Sequence, residues 1–177
     1  MNKIRKCFSK FVIFFFISIS FILTSLPSIS QSADKPLQID IMGGNIQAMP
    51  IAISYFSTEE NLKELNLHKN IPNLIANNLI NSGLFKLLDR DAYMQNPDQL
   101  NAPPKFRDWR IIDAQALISG KIIKKTEDKL SVSVELWDVY GEKRMFGLSL
   151  SSNIKSWRRI SHIISDKIYE RLTGEEG

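Results

Sequence analysis

The chain has 177 residues and a formal charge of +4, but Lys3, Arg5, Lys6 and Lys10 crowd the first 33 residues, which hold no acid. Without that stretch the balance is 19 basic to 19 acidic residues, so the chain lacks the overall basic excess expected of a nucleic-acid binder. The single cysteine, Cys7, lies inside the same stretch, which excludes disulfides, a thiol nucleophile and thiolate metal sites from the remainder.

Residues 1–33 have the three parts of a secretory signal. A basic start precedes the apolar run FVIFFFISISFILTSL, Pro27 breaks the helix, and small residues follow. Ser28 and Ser30 fit a cut before Gln31, and a cut after Ser32 or Ala33 is also readable. The alternative is an uncleaved membrane anchor that keeps residues 1–33, because the apolar run approaches spanning length. Cleavage would leave no integral membrane segment.

Residues 34–48 read as a flexible N-terminal segment. Within it LQIDI alternates, with Leu37, Ile39 and Ile41 on one face and Gln38 and Asp40 on the other, before Gly43-Gly44. This is either a frayed terminus or a mobile strand able to pair with another protein's sheet edge. Pro50 to Phe56 predicts a second, more apolar strand, and Ser57 to Asn66 a polar loop. A helix is expected from about Asn70, with Pro72 in its first turn and Gly83 at its C′ position. Phe85 to Leu88 predicts a short strand, followed by the charged corner Asp89-Arg90-Asp91. Residues 96–105, with three prolines, read as loop, and Phe106 to Ile112 as a short helix anchored by Trp109.

Three strands are then expected: Gln115 to Ile123, the alternating run from Leu130 to Trp137, and Arg144 to Ser151 after a turn at Tyr140-Gly141. A helix from about Lys155 carries the stripe Trp157, Ile160, Ile164, Ile168 and Leu172, and Gly174 ends it. The sum is an α/β fold: a mixed β-sheet packed against two main helices, as a single domain over residues 49–174 after the signal.

Little here suggests catalysis. His162 and Asp166 share a helix face beside Ser161, but a hydrolytic triad needs groups converging from different elements, so a local His–Asp pair is the simpler reading. Two such ligands do not make a metal site. His68 falls in the polar loop and is expected to be solvated. Gly43-Gly44 lacks the Lys-Ser/Thr and helix of a phosphate loop, and no cofactor motif occurs. Trp109, Trp137 and Trp157 could line a cleft but more simply anchor a core. Asp89, Asp91 and Asp98 fit an Asp-rich turn better than a carboxylate cluster.

Three stretches resemble the amino-terminal domain of the TolB family: NSGLFKLLDR (residues 81–90), WRIIDAQALISGKI (109–122), and Trp157-Arg158 followed by SHIISDKIYERLTGEEG (161–177). The resemblance implies a non-catalytic periplasmic adaptor of the Tol-Pal system. That system keeps the outer membrane intact and draws it inward at cell division. The resemblance further implies that the mature amino terminus binds the carboxy-terminal domain of TolA, which maps here onto Leu37, Gln38, Ile39, Asp40, Ile41, Gly43 and Gly44. The family continues into a β-propeller that binds the lipoprotein Pal. Residues 175–177 read as the truncated start of the linker to it, so no residue of this chain is assigned to Pal. A small envelope hydrolase acting through His162 is the rival from another class.

Overall fold

The computed structural model describes residues 47–101 and 103–175. The stretch expected to be a signal and the strand expected over LQIDI lie outside them. Among the described residues, no helix is long and apolar enough to cross a membrane.

The elements in chain order are β1 (Met49–Ile53), β2 (Ser57–Thr58), α1 (Glu60–Lys63), α2 (Leu67–Asn81), β3 (Phe85–Leu87), α3 (Phe106–Ile111), β4 (Ala116–Lys124), β5 (Lys129–Asp138), β6 (Lys143–Asn153) and α4 (Trp157–Thr173). They form a six-stranded mixed sheet of order β3-β1-β4-β5-β6, with β2 also paired to β4. β1 runs parallel to both β3 and β4, whereas β4, β5 and β6 form an antiparallel meander. The mixed α/β sheet expected from the sequence is the one observed.

Strand alternation sorts the apolar side chains onto two faces. Ile51, Ile53, Ile118, Ile122, Leu130, Val132, Val134 and Leu136 meet Ile71, Ile75 and Leu79 of α2 and Ile160, Ile164, Ile168 and Leu172 of α4. On the other face Ala52, Leu117, Trp137 and Val139 pack with Trp109 of α3. α2 thus covers the β1-to-β3 crossover on one face, and α3 the β3-to-β4 crossover on the other.

Four local expectations change. The strand expected over Pro50 to Phe56 is split. β1 stops at Ile53, and pairing resumes at Ser57 against Lys121. The break lets the Phe56 ring fill the space above Gly120, where a Cβ would stand 2.9 Å from ring carbons. The loop expected over Ser57 to Asn66 contains β2 and α1 instead. α1 is one helical turn held by a single buried apolar residue, Leu62, which is too little to create a period. α2 starts at Leu67, three residues early, after Asn66 in the left-handed conformation at φ 52°. Pro72 is therefore inside the helix rather than in its first turn. Its ring nitrogen cannot serve the carbonyl of His68, four residues back. The backbone N–H of Phe56 donates to that carbonyl at 3.0 Å and removes the deficit.

His68 is the fourth change. It sits in the first turn of α2, half-buried, and desolvation, followed by the charges of Lys69 and Lys63, holds its imidazole below the usual 6.5. Both helix ends are as expected. Gly83 follows α2 at φ 75°, and Gly174 closes α4 at φ 80°, with its N–H donating to Glu170 O at 2.8 Å.

Ile164 is fully buried between α4 and the sheet. Ile164→Ala should therefore destabilise the domain by about 2–5 kcal/mol in denaturant titration. A change within the surface range of about 0.5 kcal/mol would show the helix face to be wrongly placed. Gly120→Ala should cost about 1–3 kcal/mol, because the added methyl must displace a fully buried ring. The double variant with Phe56→Leu should recover part of that loss in the same titration.

Candidate functional site

β1 is the strand through which the amino-terminal segment joins the sheet, and it lies between two parallel neighbours. Its entry is tied by Met49 N–H donating to Leu84 O at 2.8 Å. Opposite Met49 stands Phe85, whose ring meets Tyr169 of α4 edge-on at 6.2 Å. Tyr169 also lines an open cleft of about 460 Å³ between the end of α2 and the middle of α4, with Asn78, Asn81, Ser82, Ser165 and Asp166. Two of the three stretches that carry the family resemblance, 81–90 and 161–177, therefore converge beside the point where the amino-terminal segment enters.

Asn78 organises the upper wall of this cleft. Its Nδ2 donates to Ser165 Oγ at 3.0 Å and lies 3.0 Å from His162 Nδ1. Accepting that bond leaves the proton of a neutral imidazole on Nε2. The local His162–Asp166 pair expected from the sequence is not formed, because His162 reaches across to α2 instead. Ser161 is fully buried and donates its hydroxyl to Trp157 O at 3.0 Å, four residues back in the helix. The three side chains thus do not form a nucleophile–base–carboxylate relay.

The far end of β1 is held by side chains that the sequence reading did not single out. Arg90 Nε donates to Ile53 O at 2.9 Å, and Arg90 Nη1 donates to Asn73 Oδ1 at 2.8 Å. The guanidinium also lies 4.5 Å from the centroid of the Tyr55 ring. Tyr93 Oη accepts from Ile53 N–H at 3.1 Å and donates to Leu88 O at 3.1 Å. Burial raises the Tyr93 phenol above 10.0, against the opposing bond from Ile53 and the charge of Arg90. Both backbone groups of the last β1 residue are therefore satisfied by one loop. An Arg and a Tyr three apart in a polar turn give no periodic signal that could reveal this.

The remaining candidates are structural. Trp109 and Trp137 anchor the second face, and Trp137 Nε1 donates to Ser119 Oγ at 3.2 Å. Trp157 packs on the opposite face beneath Arg158, at 4.4 Å, so the three indoles form no common cleft. Asp89 Oδ1 accepts from Asp91 N–H at 3.0 Å, the hydrogen bond of an Asp turn. Among the described residues no group of three metal-ligating side chains occurs. Leu37, Gln38, Ile39, Asp40, Ile41, Gly43 and Gly44 lie outside the described residues, as do Ser30, Ser32 and Ala33.

The family model of the TolB amino-terminal domain matches residues 37–145. The chain belongs to the TolB family. It is similar to the Tol-Pal system protein TolB of Pelagibacter ubique, 43% identical over 149 residues, which cover 80% of this chain and 33% of that protein. The TolB of Paramagnetospirillum magneticum is 36% identical over 177 residues, covering 100% of this chain and 37% of that protein. The crystal structure of TolB from Acinetobacter baumannii superposes with a TM-score of 0.60 at 26% identity, covering 80% of this chain and 32% of that one. The chain therefore spans about a third of the length of these TolB relatives. The TolB family match begins at Leu37 and so includes the alternating segment ahead of β1.

Arg90→Lys keeps the charge but loses the fork that serves Ile53 O and Asn73 together. It should destabilise the domain by about 1–3 kcal/mol, the cost of leaving a buried polar partner unsatisfied. Hydrogen exchange should show the loss first in the amides around Ile53 and Leu88.

Proposed function

We propose that this chain is a non-catalytic periplasmic adaptor of the Tol-Pal system. In this reading it binds the carboxy-terminal domain of TolA through Leu37 to Gly44 and supports outer-membrane integrity and invagination during cell division. Membership of the TolB family carries the reading. Two observations support the choice of segment: LQIDI has strand alternation beside a Gly-Gly pair, and it lies inside the family match. Residues 1–33 act as the export signal, cut near Ser30, Ser32 or Ala33. Pal recognition belongs to the propeller of the family and is assigned to no residue here.

The binding physics is strand addition. Main-chain hydrogen bonds supply affinity, and the alternate side chains of Leu37, Ile39 and Ile41 supply register. Deletion of residues 37–44 should abolish capture by the TolA carboxy-terminal domain, and Ile39→Pro should weaken it by removing a main-chain donor. The described buried residues run from Met49 to Thr173, so the thermal midpoint should stay nearly constant. Unchanged TolA affinity after the deletion would defeat the binding assignment.

A further inference from the structure

We infer that one end of the domain, formed by the β4–β5 hairpin and the start of α4, is a basic docking surface for an anionic phospholipid bilayer. The inference stands apart from the TolA reading, because the two use opposite ends of the sheet.

The backbone assembles this surface. Lys125 N–H donates to Lys129 O at 2.9 Å and closes the hairpin between β4 and β5. Lys129 pairs with Asn153 of β6, and Ile154 N–H donates to Asp128 O at 2.8 Å. The hairpin therefore lies beside the connection into α4. Together the two segments present Lys125, Lys129, Lys155, Arg158 and Arg159, all exposed. Lys124 and Glu127 neutralise each other at 3.0 Å. Asp128 is the other acid of these segments, so five cations and one anion leave a local charge of +4. Residues 34–177 balance at 19 basic and 19 acidic residues, which leaves −4 for the rest. Glu59 and Glu64 follow β2, on the far side of β4 from β5, and bound the surface there.

No intramolecular contact accounts for this concentration of charge. Among the described residues none of the five cations has an ion pair. Arg158 lies over the Trp157 ring at 4.4 Å and has no carboxylate partner. Lys155, Arg158 and Arg159 also surround the amino terminus of α4, whose first turn holds no acid. Cations there oppose the helix dipole and cost stability, and an anionic partner reverses that sign.

A bilayer matches the arrangement. Long exposed side chains without fixed partners suit an array of mobile headgroups better than carboxylates at set positions. Each Lys or Arg near an anionic leaflet adds to affinity, over a range set by the Debye length. Ile154 and Trp157, between the charges, are only partly buried and add apolar contact at the headgroup level. The end is also clear of the chain's own continuations. β1 runs parallel to β4, so the amino-terminal segment enters at Met49, at the opposite end. α4 is 17 residues long and carries the chain about 26 Å away before Gly174.

The described core lies wholly within residues 34–177, so the test uses that chain, without the apolar run ahead of it. Co-sedimentation with phosphatidylcholine vesicles containing phosphatidylglycerol is expected at low salt and lost at high salt, with none on phosphatidylcholine alone. Lys125→Gln, Lys129→Gln and Arg159→Gln together should weaken binding by about tenfold or more. The same triple variant should hold or raise the thermal midpoint, because a cation leaves the start of α4. Lys86→Gln, Lys105→Gln and Arg107→Gln remove as much charge from exposed positions at the β3 edge and the start of α3, and should leave binding nearly unchanged. Absence of binding to the phosphatidylglycerol vesicles, or equal weakening by both triple variants, would overturn the inference. Capture by soluble polyglutamate with no vesicle binding would overturn it too, by making the partner an acidic protein.

Discussion

The hydrogen bond from Phe56 N–H to His68 O does more than join two residues 12 apart. Pro72 takes one donor out of the first half of α2, and a buried carbonyl without a partner would cost about 1–3 kcal/mol. Phe56 supplies that donor only because the chain leaves the sheet after Ile53. It leaves the sheet because its ring fills the site of the missing Gly120 side chain. One backbone detour therefore connects the end of β1, the start of α2 and the middle of β4. The positions of both helices over the core face depend on it, since α4 packs against α2 as well as against the sheet.

The two faces of the sheet are treated unequally, and the reason is composition. The core face receives the apolar stripes of α2 and α4, and the strand positions that meet them are apolar, from Ile51 and Ile118 to Phe85 and Phe146. Among the described residues the other face is covered where α3 brings Trp109 together with Ala52, Leu117, Trp137 and Val139. Beyond that cover, Ser131, Ser133, Ser149 and Ser151 replace the aliphatic residues. The Ser149 hydroxyl bonds across to β5, at 3.4 Å from Ser131 Oγ and 3.1 Å from Ser133 Oγ. A serine ladder tolerates water, so β5 and β6 need no second helical layer. Antiparallel sheets commonly show this division, while the parallel part around β1 is buried on both sides.

Much of this was legible from periodicity. The stripe Ile160, Ile164, Ile168 and Leu172, the β5 alternation and the two glycine caps all depend on regular spacing, and each is found as read. What escaped the sequence depends on single residues without a period. α1 has one buried apolar residue, Leu62, and β2 has two residues in all. Arg90 and Tyr93 act through contacts 37 and 40 positions away. His162 shares a helix face with Asp166, yet Asn78, 84 positions away, is its hydrogen-bond partner. Local spacing identifies which residues share a face, and it does not identify which element that face will meet. The candidate binding segment rests on family resemblance, because the alternation of LQIDI alone does not separate a binding strand from a frayed terminus and the segment lies outside the described residues.

The segment proposed to bind TolA precedes β1 in the chain, and β1 has no vacant edge. It is flanked on both sides by parallel neighbours, its first residue is tied by Met49 N–H to Leu84 O, and its last is closed by Arg90 and Tyr93 at Ile53. Strand addition to the preceding segment would therefore draw on none of the hydrogen bonds that hold β1 in the sheet, which is why loss of that segment is expected to change binding and not stability.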